Sequence, residues 1–216
     1  MKMRFVKSGL LAGALSLLAV QPSMAGTITG SAHDFTTSSW SGGRICVACH
    51  APHNTNTTVT DAPLWSHAVS TATYTLYSST TMQATMGQPS GLSKLCLSCH
   101  DGTVAVDSFG GRTGATMISG GANVGTSLTN DHPIGFTYNT ALASADGSLH
   151  DPSTKAVTIG SGGQTKTGTI AATMLYAGKL ECSSCHDVHN TFTAGSGNLL
   201  KVSDSGSAIC LACHNK

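Results

Sequence analysis

Four times the chain carries two cysteines separated by two residues and followed at once by a histidine. The copies are Cys46-Val47-Ala48-Cys49-His50, Cys96-Leu97-Ser98-Cys99-His100, Cys182-Ser183-Ser184-Cys185-His186 and Cys210-Leu211-Ala212-Cys213-His214. They use all eight cysteines, so no thiol is left for a disulfide. C-x-x-C-H is the attachment signature of c-type haem. Its two thiols add to the two vinyl groups of one porphyrin, and the adjoining histidine is held under the iron. Two zinc ribbons or thioredoxin-like redox pairs also use CxxC, but neither accounts for a histidine after every pair. The sequence therefore predicts four haem c groups, attached through Cys46, Cys49, Cys96, Cys99, Cys182, Cys185, Cys210 and Cys213. Their proximal ligands would be His50, His100, His186 and His214.

Two of the four motifs are longer than attachment needs. Residues 46–54 and 182–190 both read CxxCHxxHN, with His53 and His189 three positions beyond the proximal histidine. On a helical turn, positions i and i+3 share a face about 4.5 Å apart along the axis. One turn would then address two irons, which forces two porphyrins together. Six histidines lie outside the attachment motifs, enough to fill every second axial position with two to spare. The expected distal ligands are His33, His53, His132 and His189. His67 could equally pack on a macrocycle and His150 reads as a solvated turn, so these two are held in reserve. Met82, Met86, Met117 and Met174 read as packing residues while histidine is in surplus.

The islands form an internal duplication. Each half runs free histidine, CxxCHxxHN, spacer, then Leu or Ile followed by Cys-Leu-x-Cys-His. The first half uses His33 and the second His132 or His150. The halves span 26–101 and 130–216, joined by a segment rich in Gly, Ser and Thr. Charged residues are only 10% and aromatics 5%, against about a quarter charged in an ordinary globular chain. A core of side chains could hardly offset the entropy of so much loop. The expected fold is one domain over 26–216. It is mostly irregular coil with a few short α-helices at the haem-binding motifs and minimal strand, and the haems form its core. Ser93 to His100 reads as a helix. Residues 156–159 read as one arm of a hairpin turning at Gly160 to Gly163.

Residues 1–25 read as a secretory signal peptide: Lys2, Arg4 and Lys7, then the apolar run Ser8 to Val20, then Ser23-Met24-Ala25. No later segment is apolar enough to span a bilayer. Location outside the inner membrane follows, at the cell surface or beyond it first and in the periplasm second. A net charge of +1 excludes nucleic acid and anionic membrane as partners. No catalytic triad, paired carboxylates or phosphate-binding glycine loop stands out, so no catalytic residue is assigned. With both axial positions filled, the iron has no place for a substrate, and the reading is an electron carrier, not an enzyme. The alternatives are a periplasmic multihaem reductase of a small nitrogen or sulfur oxyanion, needing one five-coordinate haem, and a monomeric periplasmic shuttle.

CVACHAPHN, LCLSCHDGT, NDHPIGF, ECSSCHDVHN and ICLACHNK together resemble multihaem c-type cytochromes of the doubled CxxCH type. Among those they look like the tetrahaem OmcE-like subunits of extracellular cytochrome nanowires from metal-reducing bacteria. The resemblance covers the motif islands, about a third of the chain after the leader. It implies bis-histidine haems stacked in a continuous row and a head-to-tail homopolymer. It also implies an axial histidine donated to the neighbouring subunit, for which His33 is the expected donor. Redox-partner cytochromes and an extracellular electron acceptor would be the other partners.

Overall fold

A computed structural model describes residues 27–195 and 198–215, and the expected leader lies outside them. Gly, Ser and Thr fill the spacers, and most of the described backbone runs in turns and irregular segments. Five short helices punctuate it: α1 (Gly91–His100), α2 (Thr140–Asp146), α3 (Ile170–Thr173), α4 (Cys182–Cys185) and α5 (Ala208–Leu211). The strands are β1 (Phe136–Thr137), β2 (Ala156–Ser161), β3 (Gln164–Thr169) and β4 (Lys179–Leu180). Three single 3-10 turns cover Cys46–Ala48, Gly120–Ala122 and Ser205–Ser207.

The hairpin pairs β2 with β3 antiparallel, from Ala156 opposite Thr169 to Ser161 opposite Gln164. Its loop is tighter than the glycine run suggests. Only Gly162 and Gly163 turn, both at positive φ, as a two-residue connection requires. Gly160 stays in the strand, and its N–H donates to Lys201 O at 2.8 Å. The hairpin is thereby tied to the chain that follows the third motif. Helix α3 closes over it with Ile170 and Met174, both fully buried. They meet Phe136, Tyr138, Ala143, Ile159, Leu180 and Ala212 in a compact apolar cluster. Phe136 is 8% exposed and belongs to this polypeptide core. A smaller cluster gathers Tyr74, Leu97 and Leu128.

Two contacts place the motifs. Strand β1 pairs with β4, Phe136 opposite Leu180, so the segment after His132 lies beside the approach to Cys182. Helix α1 meets α4 through the buried carboxylate of Glu181. Ser93 donates both its backbone N–H and its hydroxyl to Glu181 Oε2, while Ser93 Oγ accepts from Cys182 N at 3.0 Å. Glu181 N in turn donates to Ser184 Oγ at 2.9 Å, closing a capping box on α4. A buried acid with every contact hydrogen-bonded is a rigid joint, and it locks the second and third motifs together.

Candidate haem-binding centre

Helix α1 shows what the CxxCH spacing does. Cys96, Cys99 and His100 stand at i, i+3 and i+4, hence on one face, and this face is partly exposed while Ser93, Leu95, Leu97 and Ser98 are buried. The expectation that CxxCHxxH forms one helical turn is overturned. Helix α4 stops at Cys185, and His186 is extended, with φ −109° and ψ 141°. In the first copy Pro52 follows, and proline disfavours helix in the residue before it. In the third copy the Asp187 carboxylate accepts from the N–H groups of His189, Thr191 and Phe192 at 3.1, 2.9 and 2.7 Å, curling the chain into a turn. The closing asparagine explains itself here. Asn54 and Asn190 have φ of 55° and 54°, a left-handed conformation that asparagine tolerates better than most residues.

Both copies are then strapped by an element that the sequence hides. His50 Nδ1 donates to Pro63 O at 2.7 Å, and His186 Nδ1 donates to Asn198 O at 2.8 Å. Ala51 N donates to Leu64 O, and Asp187 N to Leu199 O. Ser66 N donates to Cys49 O, and Lys201 N to Cys185 O, both at 2.8 Å. Leu64 and Leu199 share a φ of 55°. Pro63-Leu64-Trp65-Ser66 and Asn198-Leu199-Leu200-Lys201 are thus one structural element used twice. His100 is held comparably, its Nδ1 donating to Ala122 O at 2.7 Å. Each bond commits Nδ1 as a donor and leaves Nε2 for a second bond, which is how metal-bound histidines are oriented.

Three motif histidines each face a histidine from outside the attachment motifs. The ring centroids of His50 and His189 are 6.3 Å apart, those of His100 and His33 6.0 Å, and those of His214 and His132 6.5 Å. Two nitrogens about 2 Å from one iron, each with its ring centre about 1.2 Å behind it, put the centroids roughly 6.4 Å apart. The interplanar angles are 24°, 57° and 73°; rotation about an N–Fe–N axis permits all of them. The 50–189 pair joins the first motif to the tail of the third.

Further observations fit a porphyrin at each motif. Large apolar residues lie exposed beside all four: Leu64 at 54%, Val124 at 41%, Val188 at 41% and Leu211 at 44%. Thiols come together too, since Cys96 and Cys182 are hydrogen-bonded, which raises the first and lowers the second. Burial pushes Cys49 up to about 11, and Cys99 and Cys213 to about 12, so all three are protonated at neutral pH. Among the described residues no group of three or more His, Cys, Asp or Glu is placed to hold a bare metal ion.

His33 is suited to iron in another way. Its Nδ1 is buried without a hydrogen-bond partner. Burial, with help from His100, His186 and His189, holds its pKa at about 4, against 6.5 for a free histidine. At pH 7 the ring is therefore neutral, the form in which an imidazole binds a metal.

The remaining histidines divide differently. His53 is exposed, with Asn54 Nδ2 3.2 Å from its Nδ1, and no ring contact brings it opposite His186. His67 is 1% exposed and both its ring nitrogens meet backbone carbonyls, Ala68 O at 2.7 Å and Ala105 O at 3.1 Å. A neutral imidazole carries one N–H, so it bonds one of the two carbonyls, and Cys99 Sγ lies 3.4 Å from Nε2 of His67. His150 acts through its backbone: its N–H donates to Cys213 O and its carbonyl accepts from Tyr138 OH, bracing the fourth motif.

Residues 175–216 match the family described as Doubled CXXCH motif, which spans the third and fourth copies as a pair. The match covers less than half of the chain. It supports covalently bound haem c and an electron-transfer cytochrome of the multihaem type. Comparison with curated proteins finds no match.

Proposed function

We propose that the chain carries electrons outside the cytoplasm through four c-type haems, three of them with both axial histidines supplied by their own chain. The observation that carries this reading is the set of histidine pairs at 6.0, 6.3 and 6.5 Å, each joining a motif histidine to a non-motif one. The first haem takes His50 and His189, the second His100 and His33, and the fourth His214 and His132. Bound haem supplies a one-electron couple. The polypeptide attaches it, fixes each imidazole through a carbonyl at Nδ1, and brings the sites within reach of one another. His189 lies three residues from His186, so the first and third haems are neighbours. Cys96 and Cys182 touch, so the second and third are neighbours as well.

The third haem carries the assembly question. Among the described residues no histidine ring contact completes His186, while His53 is exposed. His33, the donor that the resemblance suggests, lies beside its own chain's His100, so His53 is the better candidate for donation to a neighbouring copy. A head-to-tail contact of that kind repeats into an open filament. The same observation sustains the reductase alternative, because in a monomer the third iron would keep an open position for a small oxyanion.

Electron microscopy of the secreted fraction and EPR of the ferric protein separate the two. Filaments in which all four haems are low-spin are the expected result. An isolated monomer holding one persistent high-spin haem that binds nitrite or sulfite would overturn the filament carrier in favour of the reductase.

A further inference from the structure

We infer that Lys201 is a buried cation that raises the reduction potential of the third haem. The inference rests on the haem reading above and goes beyond it. Its basis is the duplicated strap. The first and third motifs are held by the same three hydrogen bonds and the same left-handed leucine, so the two sites are alike in how they are gripped. Their charges differ: Ile45 and Ala51 of the first copy are Glu181 and Asp187 in the third, and the residue whose N–H bonds the second cysteine's carbonyl differs as well. In the first copy this is Ser66, neutral, with Gly110 N donating to its hydroxyl at 3.0 Å. In the third it is Lys201.

Lys201 is only 4% exposed, and lysine is almost never buried unless paired. Here the partners are neutral. Its Nζ donates to Tyr176 OH at 2.8 Å and lies 4.9 Å from the centroid of the same ring. A hydroxyl and a ring face satisfy an ammonium without cancelling its charge. That charge is felt at the attachment site: burial pushes the Cys185 thiol up, and Lys201 pulls it back down. An electron arriving at the third haem lowers the positive charge there, so a fixed cation nearby favours the reduced state. The electron comes from a neighbouring ferrous haem and leaves that haem ferric. Burial also limits screening, so the effect should persist in salt.

The test is a redox titration of the four-haem protein followed by visible absorbance, with individual midpoints assigned by NMR exchange spectroscopy of the haem methyl groups. Lys201→Met should lower the midpoint of the haem on Cys182 and Cys185 alone of the four, and Lys201→Arg should leave it in place. A four-haem Lys201→Met protein with unchanged midpoints overturns the inference. Lys201→Gln removes the same charge with a polar side chain and serves should Lys201→Met misfold; unchanged midpoints in it overturn the inference equally. A pyridine haemochrome count below four would instead overturn the four-haem reading, and this inference with it.

Discussion

Replacing His189 with alanine is expected to turn one haem in four from low-spin to high-spin without loss of any haem. The attachment chemistry lies in cysteines that the substitution leaves alone, and His50 keeps its Nδ1 bond to Pro63 O. What disappears is the ring 6.3 Å across from His50. A five-coordinate ferric haem gives a distinct EPR signal and an open face, so imidazole or cyanide in solution should restore the low-spin spectrum. The change should fall on the first haem, although His189 belongs to the third motif, and that crossing is the informative part. If instead the third haem, on Cys182 and Cys185, became high-spin, the ligand would be serving its own motif and the pairing would be wrong. A variant that stayed fully low-spin would show that the 50–189 approach is an ordinary aromatic contact, since unligated aromatic pairs also stand about 4.5–7 Å apart.

The residues that hold chemistry were legible, whereas much of the backbone that positions them was not. Four CxxCH strings announce themselves because covalent attachment demands adjacent residue types. The strap left no such trace. Pro63-Leu64-Trp65 and Asn198-Leu199-Leu200 share only a leucine, and they follow their histidines at spacings that differ by one. Their common work is done by carbonyl and N–H groups that every residue possesses. The helical reading of CxxCHxxH failed for a reason already visible in one copy, Pro52, and invisible in the other, where Asp187 collects three backbone N–H groups. The asparagine that closes both copies was a better guide than the spacing, because it marks a left-handed residue in each. His67 was ambiguous for a related reason. Nothing in its flanking residues says that the distant carbonyl of Ala105 will meet its ring.

Haem withdrawal is expected to have the larger effect on the fold, and an uneven one. Chain made in a reducing cytoplasm, where no haem is attached, should lose the arrangement over residues 27–128, since there the described structure is turns, α1 and the small cluster of Tyr74, Leu97 and Leu128. The eight buried apolar residues there, Ala48, Trp65, Tyr74, Leu95, Leu97, Ala105, Phe109 and Leu128, at no more than about 1.5–3 kcal/mol each cannot offset the ordering of some hundred residues at about 1–2 kcal/mol apiece. The exposed Leu64, Val124, Val188 and Leu211 would add apolar surface with nothing to cover it, which favours aggregation. The second half is different. Hairpin β2–β3, helix α3 and the cluster around Ile170 and Met174 bury eight residues against one another. Their contacts are also closer together along the chain, so less loop has to be ordered to make them. Hydrogen exchange on the haem-free chain should therefore show residual protection confined to residues 136–180, with amides of 27–128 exchanging as in an unfolded peptide. Native-like protection throughout would mean that the polypeptide, rather than the porphyrins, is the core of this molecule.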